Sequence, residues 1–282
     1  MSLAAALIEN GHFRLAESLI RVCLDKTPDD PDLLWQLASL CRAQGEMEAC
    51  RSVLRRIAGD SGAARKARAL LDVLDQHPCA HTIKDEPAPV PFVRMENAVP
   101  GDMIERLRRL ALDNQHRFHE SRVKAEGRVD RKARSAQVWQ NVEGLPPGLT
   151  DIVVAMLRRQ AARLGVQATL GDRLETEISA YRHGDFVAPH WDRGDGITSD
   201  RRITTLIYFH ANPAPFAGGA LQLFDSGTDG RYDRGAWTSF PPNCNTLLQF
   251  RSEAIHAVTP VSGPQQFSDS RFCLTFWARA AK

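Results

Sequence analysis

The apolar residues of this chain are spaced in two ways, and that change constrains the fold more than any single motif. Residues 1–76 run as helix after helix, whereas the C-terminal third runs as short strands parted by turns. Between these styles, "HPCAHTIKDEPAPVP" at residues 77–91 is rich in proline and lacks periodicity, as a linker or extended strap does. With 282 residues the chain can hold both parts, and 43% hydrophobic residues are enough for a core. The expected class is α+β multidomain, with a helical domain at 1–76, a linker at 77–91 and a second domain at 92–282.

Within the helical part, Gly11 and Gly45 stand 34 residues apart in similar surroundings. Ala16, Ile20 and Cys23 share one helical face in the first copy. Leu34, Leu37, Ala38 and Cys41 share a face in the second, with Cys50, Leu54 and Ile57 on the next helix. The period resembles the tetratricopeptide repeat, a helix pair in which small residues permit close approach. An unrelated small bundle is the competing reading.

After residue 92 two helical segments come first, "GDMIERLRRLALDN" and "GLTDIVVAMLRRQAARLG". The strand-like segments "LETEISAY", "RRITTLIYF", "GGALQLF", "NTLLQF", "HAVTPV" and "RFCLTFWAR" follow. That order predicts a β core with helices from 101 to 163 laid against it. Net charge is +2, and the basic residues crowding 106–134 lack interleaved aromatics, so a solvated surface is expected and nucleic acid is not. Six cysteines, at 23, 41, 50, 79, 244 and 273, form no C-x-x-C pair and suggest free thiols in a reducing compartment. His77 and His81 flank Cys79 without a fourth ligand nearby, which argues against zinc there. No apolar run reaches membrane-spanning length, so a cytoplasmic protein with no membrane partner is expected.

Candidate chemistry begins at "YRHGDFVAPHWD", residues 181–192. His190 and Asp192 are two apart, so in an extended segment they point the same way. Such a pair also arises by chance, and a metal needs a third ligand. His256, 64 residues after Asp192, is the best candidate. Two imidazoles and a carboxylate suit one face of an iron(II) site, leaving the other open. On a later strand, Arg271, Cys273, Thr275 and Trp277 share a face, and Arg271 could grip an anionic co-substrate in a bidentate pair. Tyr208 ends another strand, with Thr204 and Leu206 on its face.

At this point residues 175–279 resemble the catalytic core of the iron(II)/2-oxoglutarate-dependent dioxygenases, in the prolyl 4-hydroxylase-like branch. The family order of Tyr, Gly and His-x-Asp falls on Tyr181, Gly184, His190 and Asp192. Its next strand, with Arg, Thr and Tyr, falls on Arg201, Thr204 and Tyr208, and its Gly-Gly turn on Gly218 and Gly219 before Leu221. The distal histidine is His256, and the basic residue for the 2-oxoglutarate tail is Arg271, six residues before Trp277. The segment from His256 to Arg271 is longer than the family usually has and is expected to bulge at the pocket mouth. Gln265 or Gln266 stands where other members carry a lysine. The retained Asp192 separates the chain from the superfamily's halogenases, which free that site for chloride.

The resemblance implies a double-stranded β-helix (jelly roll) with buttressing helices, and metal ligands His190, Asp192 and His256. It implies co-substrate contacts from Arg271, Tyr208, Tyr181, Thr204, Leu221 and Trp277. The implied cofactors are Fe(II), 2-oxoglutarate and O2, with ascorbate as a candidate auxiliary. The expected activity is hydroxylation of a prolyl or other side chain in a peptide or protein recruited by the helical domain. A free amino acid or natural product is the alternative substrate, and a non-catalytic repeat scaffold is a third reading. Of the remaining polar residues, His183, Arg193, Asp195 and Asp200 are expected at the surface or as substrate contacts. His210 is expected to be structural, Glu175 and Glu177 solvated, and Trp191 packed.

Overall fold

A computed structural model describes residues 3–77, 87–121, 133–227, 230–263 and 265–281. Most of the proline-rich stretch, with Cys79 and His81, and residues 122–132 of the basic stretch lie outside the described residues. Five helices come first: α1 (Leu3–Glu9), α2 (Phe13–Leu24), α3 (Pro31–Gln44), α4 (Met47–Arg56) and α5 (Gly62–Leu74). Then come β1 (Phe92–Glu96), α6 (Gly101–Asp113), β2 (His119–Glu120), β3 (Arg134–Ser135), β4 (Gln137–Gln140) and α7 (Leu149–Gln160). The long strands β5 (Leu170–Tyr181), β6 (Phe186–His190) and β7 (Arg201–Tyr208) lead to β8 (Ala217–Gly218), β9 (Leu221–Ser226) and β10 (Tyr232–Phe240). The chain closes with β11 (Thr246–Arg251), β12 (His256–Val258), β13 (Val261–Ser262) and β14 (Arg271–Ala280). Among the described residues no helix is long and apolar enough to cross a membrane, and the described cysteines are free thiols.

Contacts divide the chain into two compact units, one holding the N-terminal helices together with residues 222–240. In that unit two helix starts have a local cause. The Asp30 side chain accepts from the Asp32 and Leu33 amides and Pro31 opens α3, while Ser61 accepts from Ala64 at the start of α5. Gly11 and Gly45 both turn the chain at positive φ, +75° and +81°, where a side chain would be strained. Helix α3 packs on β10, and Phe13 meets Trp237 with ring centroids 6.5 Å apart. Beneath them Arg42, fully buried, grips Asp225 with two parallel bonds of 2.8 and 3.0 Å.

The second unit is built on a seven-stranded antiparallel sheet in the order β1-β11-β7-β14-β5-β4-β2. Strands β12, β6 and β3 lie side by side in a smaller sheet. Alternation along β14 sorts its two faces. Phe272, Leu274 and Phe276 are fully buried in a core completed by Ile104 and Leu107 of α6 and by Leu149, Val153 and Leu157 of α7. Burying each of those β14 side chains contributes about 1.5–3 kcal/mol. The buttressing role expected for these helices is thus met by one apolar sheet face. The opposite face carries Arg271, Cys273, Thr275 and Trp277 into a cavity.

The segment between His256 and Arg271 does not simply bulge outward. A single 3-10 turn, Phe267–Asp269, drives Phe267 into the core, 4.9 Å from Phe118 and 5.2 Å from Phe272 by ring centroids. The added length is anchored by an aromatic side chain, because only an apolar residue gains by entering that layer.

Candidate active site

Strand pairing makes the cluster. β12 runs antiparallel to β6 with His256 directly opposite His190, so the two rings lie 4.3 Å apart by centroid. Asp192 stands just past the end of β6, where its amide donates to the Ser252 carbonyl at 2.9 Å. That bend brings its carboxylate to both rings, with Oδ1 3.8 Å from His190 Nε2 and Oδ2 3.6 Å from His256 Nε2. Among the described residues these three form a cluster able to hold a metal, their ligand atoms all within 4.8 Å of one another.

The surroundings set each ligand's protonation and aim. His190 Nδ1 lies 3.0 Å from the Ala188 carbonyl, and His256 Nδ1 lies 3.0 Å from that of Ala254. A carbonyl can only accept, so each Nδ1 carries the proton and each Nε2 offers its lone pair to the cluster. Burial, aided by the neighbouring His256, pushes His190 down to about 4 and keeps it neutral near pH 7. Burial raises the Asp192 carboxyl, but the two histidines and hydrogen bonds from Trp277 and Thr204 outweigh it and hold the group at about 2. Two imidazoles and a carboxylate suit non-haem iron(II). A closed zinc site would need a fourth protein ligand.

A second feature faces the same cavity. Arg271 is 1% exposed, its Nε donates to the Gly219 carbonyl at 2.8 Å, and no described carboxylate pairs with it. Its guanidinium lies 4.7 Å from the Tyr181 ring centre and 4.9 Å from that of Tyr208. The Tyr208 hydroxyl is buried beside it without a well-formed hydrogen bond, and burial raises both tyrosine pKa values. A buried cation lacking an acid is costly unless an anionic guest completes it. The Gly-Gly turn is required here. A Cβ on Gly219 would lie 2.8 Å from Arg271 Cδ and 2.9 Å from Val261 Cγ2, and one on Gly218 would run into the Pro260 carbonyl oxygen.

The nine residues singled out from the sequence separate into two groups. His190, Asp192, His256, Arg271, Tyr181, Leu221 and Trp277 line one cavity. Tyr208 lies behind Arg271. Thr204 turns to the metal side, its hydroxyl 2.7 Å from Asp192 Oδ2, and the Trp277 indole also serves that carboxylate while stacking on Arg201 at 3.9 Å.

Sequence reasoning missed Arg134 and misread Glu177. Glu177 is 2% exposed and lines the cavity, bonded by Arg134 Nη2 at 2.7 Å and by Gln140 at 2.9 Å. Glu175 is also paired rather than solvated, with Arg201 and Arg279. The available signal was alternation, since Glu177, Ser179 and Tyr181 share the cavity face of β5. Trp191, expected to pack, is exposed, and His183 is exposed as expected. Arg193 bonds Glu253 and Asp200 pairs with Arg279, while His210 is buried between two carbonyls.

Residues 176–279 match the family model described as the 2OG-Fe(II) oxygenase superfamily. An uncharacterised PKHD-type hydroxylase of Synechocystis is 31% identical over 113 residues, 38% of this chain and 36% of that protein. The chain therefore matches only about a third of this relative's length. A Pseudomonas putida prolyl-4-hydroxylase is similar in structure, with a TM-score of 0.50 and 21% identity, over 68% of this chain and 93% of that one. So is a prolyl hydroxylase in complex with a hypoxia inducible factor peptide fragment, from Trichoplax adhaerens, with a TM-score of 0.51 and 18% identity, over 67% and 83%. At these identities the structural likeness is one of fold.

Proposed function

We propose that this chain, whose residues 176–279 match the 2OG-Fe(II) oxygenase superfamily model, hydroxylates a prolyl or other side chain of a peptide or protein. The observation that carries the reading is the pairing of a His-Asp-His cluster with a buried, acid-free arginine in one cavity. With Fe(II) held by the cluster, O2 would be the oxidant: 2-oxoglutarate would supply two electrons and leave as succinate and carbon dioxide, and the substrate C–H bond would supply the other two and become C–OH.

The chain's own residues bind and orient. Arg271, set between the rings of Tyr208 and Tyr181, would hold the distal carboxylate of 2-oxoglutarate by charge-assisted hydrogen bonds. Thr204 and Trp277 fix the Asp192 carboxylate so that its oxygens face the two imidazoles. Leu206, Leu221 and Val258 keep water from the cavity walls.

The N-terminal helices, read as tetratricopeptide-like repeats over 1–76, would recruit the substrate, the catalytic domain covering 92–282 after a linker at 77–91. The prolyl hydroxylases that share the fold favour a peptide substrate. The second reading is a free amino acid or other small molecule, for which a polar cavity beside the metal cluster has room. A reducing, cytoplasmic setting accords with the free thiols. The test is iron-dependent succinate formation by the purified chain, followed by a search for a mass gain of one oxygen in peptide and metabolite fractions of cells with and without the gene. Absence of iron-dependent succinate formation would reject the reading.

A further inference from the structure

We propose that a polar cavity beside the metal cluster is the subsite for a carboxylate carried by the substrate, an inference that rests on the hydroxylase reading above. The cavity, about 230 Å³, is bounded by the end of β2, by β3 and β4, and by the turn between β5 and β6. Arg134 lines both this space and the cavity of the metal cluster. A group bound at Arg134 therefore lies next to the reacting centre.

The hydrogen-bond inventory points to the chemistry of the guest. Among the described residues, Ser121 Oγ is buried and has no partner, and Arg134 Nε is also buried and without one. Among the described residues the Arg182 side chain makes no ion pair or hydrogen bond, although its backbone N–H donates to Asp185. The acceptors are already engaged. Asp185 takes the Ser135 hydroxyl at 2.5 Å and the Arg182 amide at 2.7 Å. Glu120, at the exposed rim, is engaged as well. The Arg134 charge is answered by Glu177 at 2.7 Å, and among the described residues the Arg182 guanidinium has no carboxylate within ion-pair distance, although Asp185 and Glu120 also line the space.

What remains vacant is thus mainly donors together with one cation. The complement of that set is an anionic oxygen pair with several lone pairs, a carboxylate. A prolyl ring alone would leave those donors buried and unmatched. The volume lies below the range of about 300–1,000 Å³ usual for drug-sized ligands and suits a group of about one amino acid. The carboxylate can come from a free amino acid or small acid, or from an acidic side chain in a peptide.

The experiment pairs acids with their amides. The iron-loaded full chain is given 2-oxoglutarate with proline, aspartate or glutamate, and in parallel with prolinamide, asparagine or glutamine. Peptides carrying Asp or Glu are likewise compared with the same peptides carrying Asn or Gln. Succinate is measured, and binding of each pair to the metal-free chain is followed by titration calorimetry. At least one acid is expected to stimulate turnover and to bind about tenfold or more better than its amide. R182Q is expected to raise KM for that acid by a similar factor with a much smaller change in kcat, and R182K to restore part of the loss. A response to free acids assigns a small substrate, and a response to acidic peptides alone assigns a side chain. Equal behaviour of acid and amide across both panels, including no response to either, overturns the proposal, as does an unchanged acid preference in R182Q. Succinate formation that does not depend on iron would instead reject the hydroxylase reading, and calorimetry would still decide the carboxylate site.

Discussion

Replacing Arg271 with Met should separate two consequences that usually travel together, lost ligand affinity and lost stability. The wild-type guanidinium is 1% exposed, lies over two tyrosine rings, spends one N–H on the Gly219 carbonyl and has no acid opposite it. Hydrogen bonds to a charged partner contribute about 1.5–3 kcal/mol. Their loss should weaken 2-oxoglutarate about 10- to 150-fold. At a concentration 100 times the wild-type Kd, bound 2-oxoglutarate stabilises the native protein by about 2.7 kcal/mol. A hundredfold weaker variant would gain only about 0.4 kcal/mol under the same conditions. In a protein of this size that is a Tm rise of about 5–10 °C in the wild type and about 1–2 °C in the variant. Without ligand the sign is different. R271M removes a buried cation that has no acid and forfeits one hydrogen bond, so ligand-free Tm should be unchanged or higher. Thermal melts with and without 2-oxoglutarate, at fixed Fe(II) without oxygen, measure both quantities. A wild-type ligand shift in R271M, or a ligand-free collapse, would refute the assignment of Arg271 as the co-substrate cation.

Asp192→Ala should abolish iron-dependent succinate formation while leaving the far-UV circular dichroism intact, because the carboxylate serves the cluster and not the core. Gly219→Ala places a methyl 2.8 Å from Arg271 Cδ at a φ of +68°, so KM for 2-oxoglutarate should rise well before iron affinity changes, as read by separate titrations. Arg42→Met leaves Asp225 buried and unpaired and should cost about 3–5 kcal/mol, whereas Arg42→Met with Asp225→Leu should recover most of it in urea melts. In metal-free protein, a His190 pKa lowered from 6.5 to about 4 means that the unfolded chain binds the extra proton first. Stability from this group is therefore present above about 6.5 and is lost as pH falls toward about 4. The urea midpoint difference between wild type and His190→Gln should shrink over that window, and a difference that grows as pH falls would reverse the sign.

The candidate site was legible where one residue type at fixed spacing does one job. His190 and Asp192 could be paired because their separation is local, though only with His256 and the family order did the pair stand above chance; the same order picked out Gly218-Gly219, where an added side chain would meet Pro260 and Arg271. Alternation along "RFCLTFW" placed Arg271 on the cavity face before any fold was known, since a strand has a period of two. Glu177 was misread for the converse reason. Alternation puts it on the face of Tyr181, but its partners Arg134 and Gln140 lie 43 and 37 residues away, so the pairing that makes its burial tolerable is not a local feature.

Local pattern therefore determined the helical N-terminal region, the strand-rich remainder, and which residue types could serve a metal and an anion. Periodicity, turn chemistry and ligand spacing are properties of neighbouring residues, so the chain states them directly. Only the tertiary structure decided that residues 222–240 join the N-terminal helices, through Arg42 and Asp225 set 183 positions apart. It alone decided that Thr204 serves Asp192 and that Phe267 turns inward to the core. Such choices are made by long-range burial, where an ion pair or an aromatic ring gains its value from surroundings that distant segments bring together.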